Sequence, residues 1–401
     1  MSLTLFLGGI FLFIFVLGII LEKVRIPWIF AALILGLGLA FNNPFSQITD
    51  SQTFKFLAQL GMYFLLFLIG FELNFSKIRK IGKFIIKAGF FIIFLEAILG
   101  GLLIHYVFHY PWFVSALIAL SFATVGEAVL IPILDEFKLI KTKLGQTILG
   151  IGTFDDVIEV LVVILVVVSL PFLAGGVGKE LGLDLGQIPI ILLSLVALFI
   201  FSIGLIKLKP KISRIKFLKV EAVFPLILSI FFLFLGIGIS AEIALATLGA
   251  LLAGIVVKNF LPREKIGAVE DQIKTVTYGL FGPIFFLWVG IDTDINYLIT
   301  FPILILLVIV VAKSAKILGS YLIGRKELGT KPSIIMGIAL GVRFSTSIVI
   351  IKLLFENGVM EKGLYSVLIG STIAFKFIIP LLLSYLIPKW KIAPGKLSKP
   401  Y

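Results

Sequence analysis

The sequence predicts an all-α membrane protein of about thirteen transmembrane helices, built as two inverted six-helix repeats with crossed, discontinuous helices. Three observations carry that prediction. The composition is too apolar for a soluble chain, apolar runs of spanning length recur throughout, and Lys and Arg crowd onto alternate connections. Of the 401 residues, 60% are hydrophobic and 14% charged, whereas soluble domains carry about 45–50% apolar and about 25% charged residues.

The runs lie at 3–21, 26–41, 54–72, 84–108, 111–134, 144–170, 188–206, 220–238, 240–257, 274–290, 301–323, 332–354 and 363–388. A helix needs about 20 residues to cross a hydrocarbon core of about 30 Å. The second run is short and its ends are the least defined. Backbone groups in lipid must be satisfied internally, and these runs are too long and too unalternating for barrel strands, so they are read as helices. Met1-Ser2-Leu3-Thr4 lacks the basic region of a signal peptide, so the first run is expected to be a retained span. The whole chain, 1–401, then reads as one transmembrane unit: a first repeat over 1–170, a linker helix at 188–206, a second repeat over 220–388, and a short tail at 389–401.

Basic residues set the orientation. The odd connections and the tail hold 26 Lys and Arg, among them Lys77, Arg79, Lys80, Lys138, Lys141, Lys211, Arg214, Arg263 and Arg325, against Lys55, Lys179 and Lys362 on the even ones. The N-terminus is therefore expected outside and the C-terminus in the cytoplasm. The formal charge of +13 is accounted for by topology and lipid headgroups, with no nucleic-acid partner. There is no cysteine, which excludes disulfides and thiolate chemistry, and only His105 and His109, both where a span meets a loop. No connection is long enough to bury a soluble core, so no enzymatic activity is expected.

Ionisable groups inside a bilayer cost at least about 2.5–3.5 kcal/mol each. Away from span ends they are Glu96, Glu127, Asp155, Asp156, Glu159, Lys313, Lys316, Arg343 and Lys376, nearly balanced in sign. Asp155 lies roughly 16 Å into the sixth run, close to the midplane. One Asp could simply bond a neighbouring helix. Two adjacent buried carboxylates are harder to explain structurally, because each raises the cost of ionising the other. Such a group in a wet cavity can hold either a proton or a hard monovalent cation. Lys313 and Lys316 share a face of the eleventh run. Lys316 is too deep to snorkel easily, and a buried carboxylate is its expected partner.

Two runs carry signs of a broken helix: Ala123-Thr124-Val125-Gly126-Glu127 followed by Pro132, and Gly341-Val342-Arg343-Phe344-Ser345-Thr346-Ser347. Discontinuous helices at this depth line cavities in transporters. They fall fifth in each group of six, and the two groups enter the membrane from opposite sides, which is the inverted-repeat arrangement.

The ordered strings Phe64-Leu65-Leu66-Phe67-Leu68-Ile69-Gly70-Phe71-Glu72-Leu73, Ala123-Thr124, Phe154-Asp155-Asp156, Leu248-Gly249-Ala250-Leu251-Leu252-Ala253-Gly254 and Gly282-Pro283-Ile284-Phe285-Phe286-Leu287-Trp288-Val289-Gly290 resemble the sodium/proton exchanger superfamily, specifically the second monovalent cation:proton antiporter family with its Asp-Asp motif. The resemblance covers nearly the whole chain. It implies the sodium/proton antiporter fold, a homodimer, elevator-like alternating access in the lipid bilayer, and a multi-pass location in a prokaryotic inner membrane. It implies no cofactor beyond the transported sodium ion and protons. Asp156 would be the main cation and proton carrier, Asp155 the partner of Lys316, and Thr124 a ligand on the unwound segment, so that sodium would be held by Asp156, Asp155 and Thr124.

Three departures from the family pattern concern ion choice and stoichiometry. Arg343-Phe344-Ser345 lacks a common acid at its third position, Glu127 and Glu159 are added carboxylates, and Lys313 is an added Lys. Without an acid at 345, Arg343 is expected to pair with Glu127 or Glu96. Glu159 and Lys313 are expected to form a second rung beside Asp155–Lys316, or else to face a wet cavity and to snorkel. With no soluble nucleotide-binding domain after Pro388, electrogenic sodium/proton exchange leads. A potassium/proton antiporter or a cation channel-like protein without a regulatory domain is the alternative.

Overall fold

A computed structural model describes residues 2–23, 26–73, 81–124, 131, 134–135, 137–173, 188–208, 220–240, 243–342 and 345–392. It is helical throughout. The main elements are α1 (Leu3–Lys23), α2 (Phe30–Phe41), α3 (Gln52–Glu72), α4 (Lys83–Phe108), α5 (Trp112–Phe122), α6 (Lys143–Leu173), α7 (Ile188–Leu208), α8 (Val220–Ile239), α9 (Ile243–Phe260), α10 (Ile266–Val276), α11 (Gly282–Ile291), α12 (Pro302–Leu328), α13 (Thr330–Ala339), α14 (Ser345–Glu356) and α15 (Lys362–Lys389). Every apolar run of the sequence carries helix. Among the described residues, seven helical stretches are long and apolar enough to cross a membrane, and α2, α5 and parts of α7 and α9 add shorter apolar helices. Large apolar side chains such as Leu5, Leu12, Phe15, Leu193 and Leu381 are exposed along the outer faces, as lipid-facing residues should be.

Helix boundaries follow local chemistry. The Ser51 hydroxyl accepts from the Phe54 amide at the start of α3, and Pro302 opens α12, where its missing N–H costs nothing. Gly329, at φ 89°, closes α12 and lets the chain turn into α13. The tenth run differs from expectation: its helix begins before residue 274, because Val269 and Ile273 of α10 bury one stripe while Glu270, Asp271 and Lys274 keep the other polar. A π turn, Thr277–Phe281, joins α10 to α11 just ahead of Pro283, whose ring cannot enter a regular ladder.

The helices pack as two bodies. In the first, α3 lies along α9 and α11, α8 and α7 lie on α9, and α2 joins α1 to α11. In the second, α12 packs on α4, α13 and α15, while α6 and α14 pack on each other and on α5. Close approach in the first body needs glycine: a Cβ on Gly70 would strike the Leu251 carbonyl, and one on Gly254 the Phe67 carbonyl. Phe231 stacks on Phe64 at 4.5 Å, and Phe64 on Phe281 at 5.0 Å, tying α8, α3 and the π turn. Between the bodies, contacts are fewer: α6 meets α9 and α3, α14 meets α3, and a short helix, Ile295–Thr300, meets α15.

Polar contacts sort the helix ends into two sets. Lys274 meets Glu72 at 2.9 Å, and Lys143 meets Glu327 at 3.2 Å, among the ends that carry the basic connections. At the opposite ends, the Glu361 amide donates to the Tyr110 hydroxyl at 2.8 Å.

Candidate functional site: two broken helices around a carboxylate cluster

Both interrupted runs break inside the second body. α5 stops at Phe122, and Ala123 and Thr124 leave the helix. α13 stops at Ala339, Leu340 to Val342 are non-helical, and α14 begins at Ser345. A helix end leaves its last carbonyls without intrahelical partners and carries partial negative charge. At membrane depth those carbonyls need a donor from the protein or from a wet cavity.

Lys316 is that donor. It is wholly buried, and its Nζ donates to the Leu340 carbonyl at 2.8 Å and the Thr124 carbonyl at 3.3 Å. Its third neighbour is Glu96 of α4, whose Oε2 lies 3.2 Å away. Two of the three N–H donors of this ammonium meet carbonyl oxygens, and the Glu96 carboxylate adds an ion pair. Lys316 therefore pairs with Glu96 and not with Asp155, which corrects the sequence expectation. The reason is packing: α12 lies directly against α4, which carries Glu96, whereas α6 packs chiefly on α4, α9 and α14.

Lys313, one turn nearer the start of α12, donates to the Gly341 carbonyl and sits 3.6 Å from the centre of the Phe375 ring. A Cβ on Gly341 would lie 2.5 Å from that ammonium nitrogen, so only glycine admits it unmoved. The expected Glu159–Lys313 rung is not formed. Both lysines instead serve the broken ends of α5 and α13.

The carboxylates line α6. Asp155 is wholly buried, Asp156 half-buried and Glu159 only 7% exposed. Glu159 lies close to the side chains of Thr346 and Thr124 and feels the charges of Asp155 and Asp156. Thr346 and Ser347 occupy the first turn of α14, so the positive end of that helix faces the acid. The Thr124 and Ser347 hydroxyls are 2.7 Å apart and join the two broken helices. Phe154, just before the Asp pair, packs its ring where a side chain on Gly89 would be, seating α6 on α4.

Of the residues singled out in the sequence, the structure brings Thr124, Asp155, Asp156 and Glu159 into one cluster, with Lys316 and Lys313 behind it on the helix breaks. Glu127 and Arg343 lie outside the described residues, as does the side chain of Lys376. Sequence reasoning missed Thr346 and Ser347 as members, although hydroxyls at the start of a helix that resumes at depth are the available signal.

Over residues 10–387 the chain matches the family described as sodium/hydrogen exchanger, transmembrane. It is 25% identical over 380 residues to a Na(+)/H(+) antiporter of Enterococcus hirae, covering 92% of this chain and 94% of that one. It is 26% identical over 381 residues to a probable Na(+)/H(+) antiporter of Methanocaldococcus jannaschii, covering 93% and 94%. Its fold is similar to that of the sodium proton antiporter MjNhaP1 of Methanocaldococcus jannaschii at pH 8, with a TM-score of 0.66 at 19% identity over 98% of this chain and 99% of that chain. Proteins of this kind are transporters rather than enzymes. The chain belongs to the sodium/hydrogen exchanger family of membrane proteins.

Proposed function

We propose that this chain is a secondary active antiporter of the Asp-Asp type that exchanges sodium for protons. One observation carries the reading: Asp155, Asp156 and Glu159 line one helix facing hydroxyls held by two broken helices. Asp156, the more exposed of the Asp pair, is the group that takes sodium or a proton, and one excludes the other. Among the described residues no three His, Cys, Asp or Glu side chains converge on a resident metal. A cation at Asp156 completes its oxygen shell from Asp155, from the hydroxyls of Thr124 and its neighbours, and from water. Exchange is electrogenic if two carboxylates of the cluster each release a proton to one sodium ion. With Lys316 committed to Glu96 and two carbonyls, the carboxylates are the better proton carriers.

The thirteen-span, inverted-repeat reading gains support from the two bodies. Each combines three helical runs from the first half of the chain with their counterparts from the second. The sparser contacts between bodies suit an elevator in which the second, carrying the carboxylates, moves against the first. The basic helix ends are read as cytoplasmic, and the working unit as a homodimer.

The test is Asp156→Asn in proteoliposomes. The amide keeps the shape but can neither take up a proton nor offer a full charge. A sodium gradient should drive proton movement through the native protein and none through the variant, with both eluting alike on gel filtration. Native pH-dependent exchange by the variant removes the assignment, and a response to potassium but not sodium reassigns the ion.

A further inference from the structure

Among the described residues, a second fully buried ammonium paired with acids lies away from the carboxylate cluster. Lys352, on α14, contacts Asp292 at the end of α11 and lies 2.6 Å from Glu356 Oε1, one turn along its own helix. Its Nζ also sits 3.7 Å from the centre of the Trp288 ring. Asp292 and Trp288 belong to the first body, Lys352 and Glu356 to the second. Two neutral hydrogen bonds cross the same seam: Tyr365 donates to the Val289 carbonyl at 2.8 Å, and the Asp294 amide donates to the Ser366 hydroxyl at 2.7 Å.

The contrast with Lys316 is informative. All three acceptors of Lys316 lie within the second body, so nothing parts them when the bodies move. The acids of Lys352 are divided, one on each side. The side chain of Asp292 is 30% exposed and that of Glu356 35%, while Lys352 is wholly buried. If the seam opens, Asp292 gains water and Lys352 keeps Glu356, so neither charge is left bare. A permanent structural pair needs no such arrangement; a bond made and broken in every cycle does, because an ion pair is costly to break only when a partner is stranded.

We propose that Lys352 is a latch, bonded to Asp292 when the two bodies close at the end opposite the basic loops and retained by Glu356 when they part. This rests on the moving-body reading above, and it adds a residue-level gate on the outward side. Glu356 is the holding partner and Asp292 the releasing one.

The two acids therefore act with opposite sign. The chain has no cysteine, so Ser366→Cys gives a single thiol, fully buried on the seam, for a membrane-impermeant maleimide added outside. In that background Asp292→Asn weakens the closed state and should raise the labelling rate several-fold. Glu356→Gln removes the partner that Lys352 keeps on opening, and should lower labelling or leave it unchanged. A merely structural cluster would loosen under either change and label faster in both. That result, or no increase with Asp292→Asn, overturns the latch. Labelling is read without ion gradients, so a chain that moves no sodium would fail the antiport reading and still pass or fail this test.

Discussion

Replacing Lys316 with Met tests how the two broken helices are held. Met fills a similar volume and keeps the apolar contacts of α12 but removes all three donors. Glu96, wholly buried, loses the Lys316 ammonium, and breaking one side of a buried pair costs about 3–5 kcal/mol. The carbonyls of Leu340 and Thr124 lose their donor as well, at about 1–3 kcal/mol each where no water replaces it. These terms overlap, and about 4–6 kcal/mol in all is expected. The assay is unfolding of the full chain in mixed SDS micelles, run as two double-mutant cycles. Glu96→Gln alone strands the ammonium and should also destabilise. Combined with Lys316→Met it should cost well under the sum, with a coupling of about 0.5–3 kcal/mol. Asp155→Asn combined with Lys316→Met should be additive to within about 0.5 kcal/mol. Coupling of Lys316 to Asp155 with additivity towards Glu96 would refute the Lys316–Glu96 pairing and restore the pair read from the sequence.

The second rung gives the complementary result: Glu159→Gln and Lys313→Met should be additive in the same assay, because each side chain has other partners. Ser347→Ala removes the hydroxyl that meets Thr124 and should raise the sodium concentration for half-maximal exchange while the chain stays folded; unchanged sodium dependence places that hydroxyl outside the ion path. Gly254→Ala forces α9 away from the Phe67 carbonyl of α3 and should cost about 1–3 kcal/mol, with native stability arguing against the close helix contact.

What the sequence made legible was depth, and what it hid was rotation and neighbourhood. Apolar length and helix rise placed Asp155, Lys316 and both interruptions at mid-membrane, because hydrocarbon thickness is a ruler that the chain must obey. Pairing Lys316 with Asp155 needed the further assumption that two helices of matching depth are neighbours. Acids at similar depth were available on α4 and α6, and only packing chooses between Glu96 and Asp155. The expectation also supposed that a buried ammonium looks first for a carboxylate. A helix that stops in the membrane creates a competing demand, since its bare carbonyls must be met. The two lysines meet that demand, and Lys316 pairs with the carboxylate of Glu96 on the helix packed against it. The same habit hid Lys352. Ionisable residues near span ends are cheap beside water, yet Lys352 is wholly buried there because Asp292, Glu356 and Trp288 enclose it. Glu356 four residues after Lys352 was a visible sign, since that spacing sets an acid and a base on one helix face. Its partner across the seam, separated by 60 residues of sequence, was not. Depth from a terminus is thus a poor guide to burial where two bodies meet, and the charges worth suspecting at a span end are those whose own helix already supplies a counter-ion.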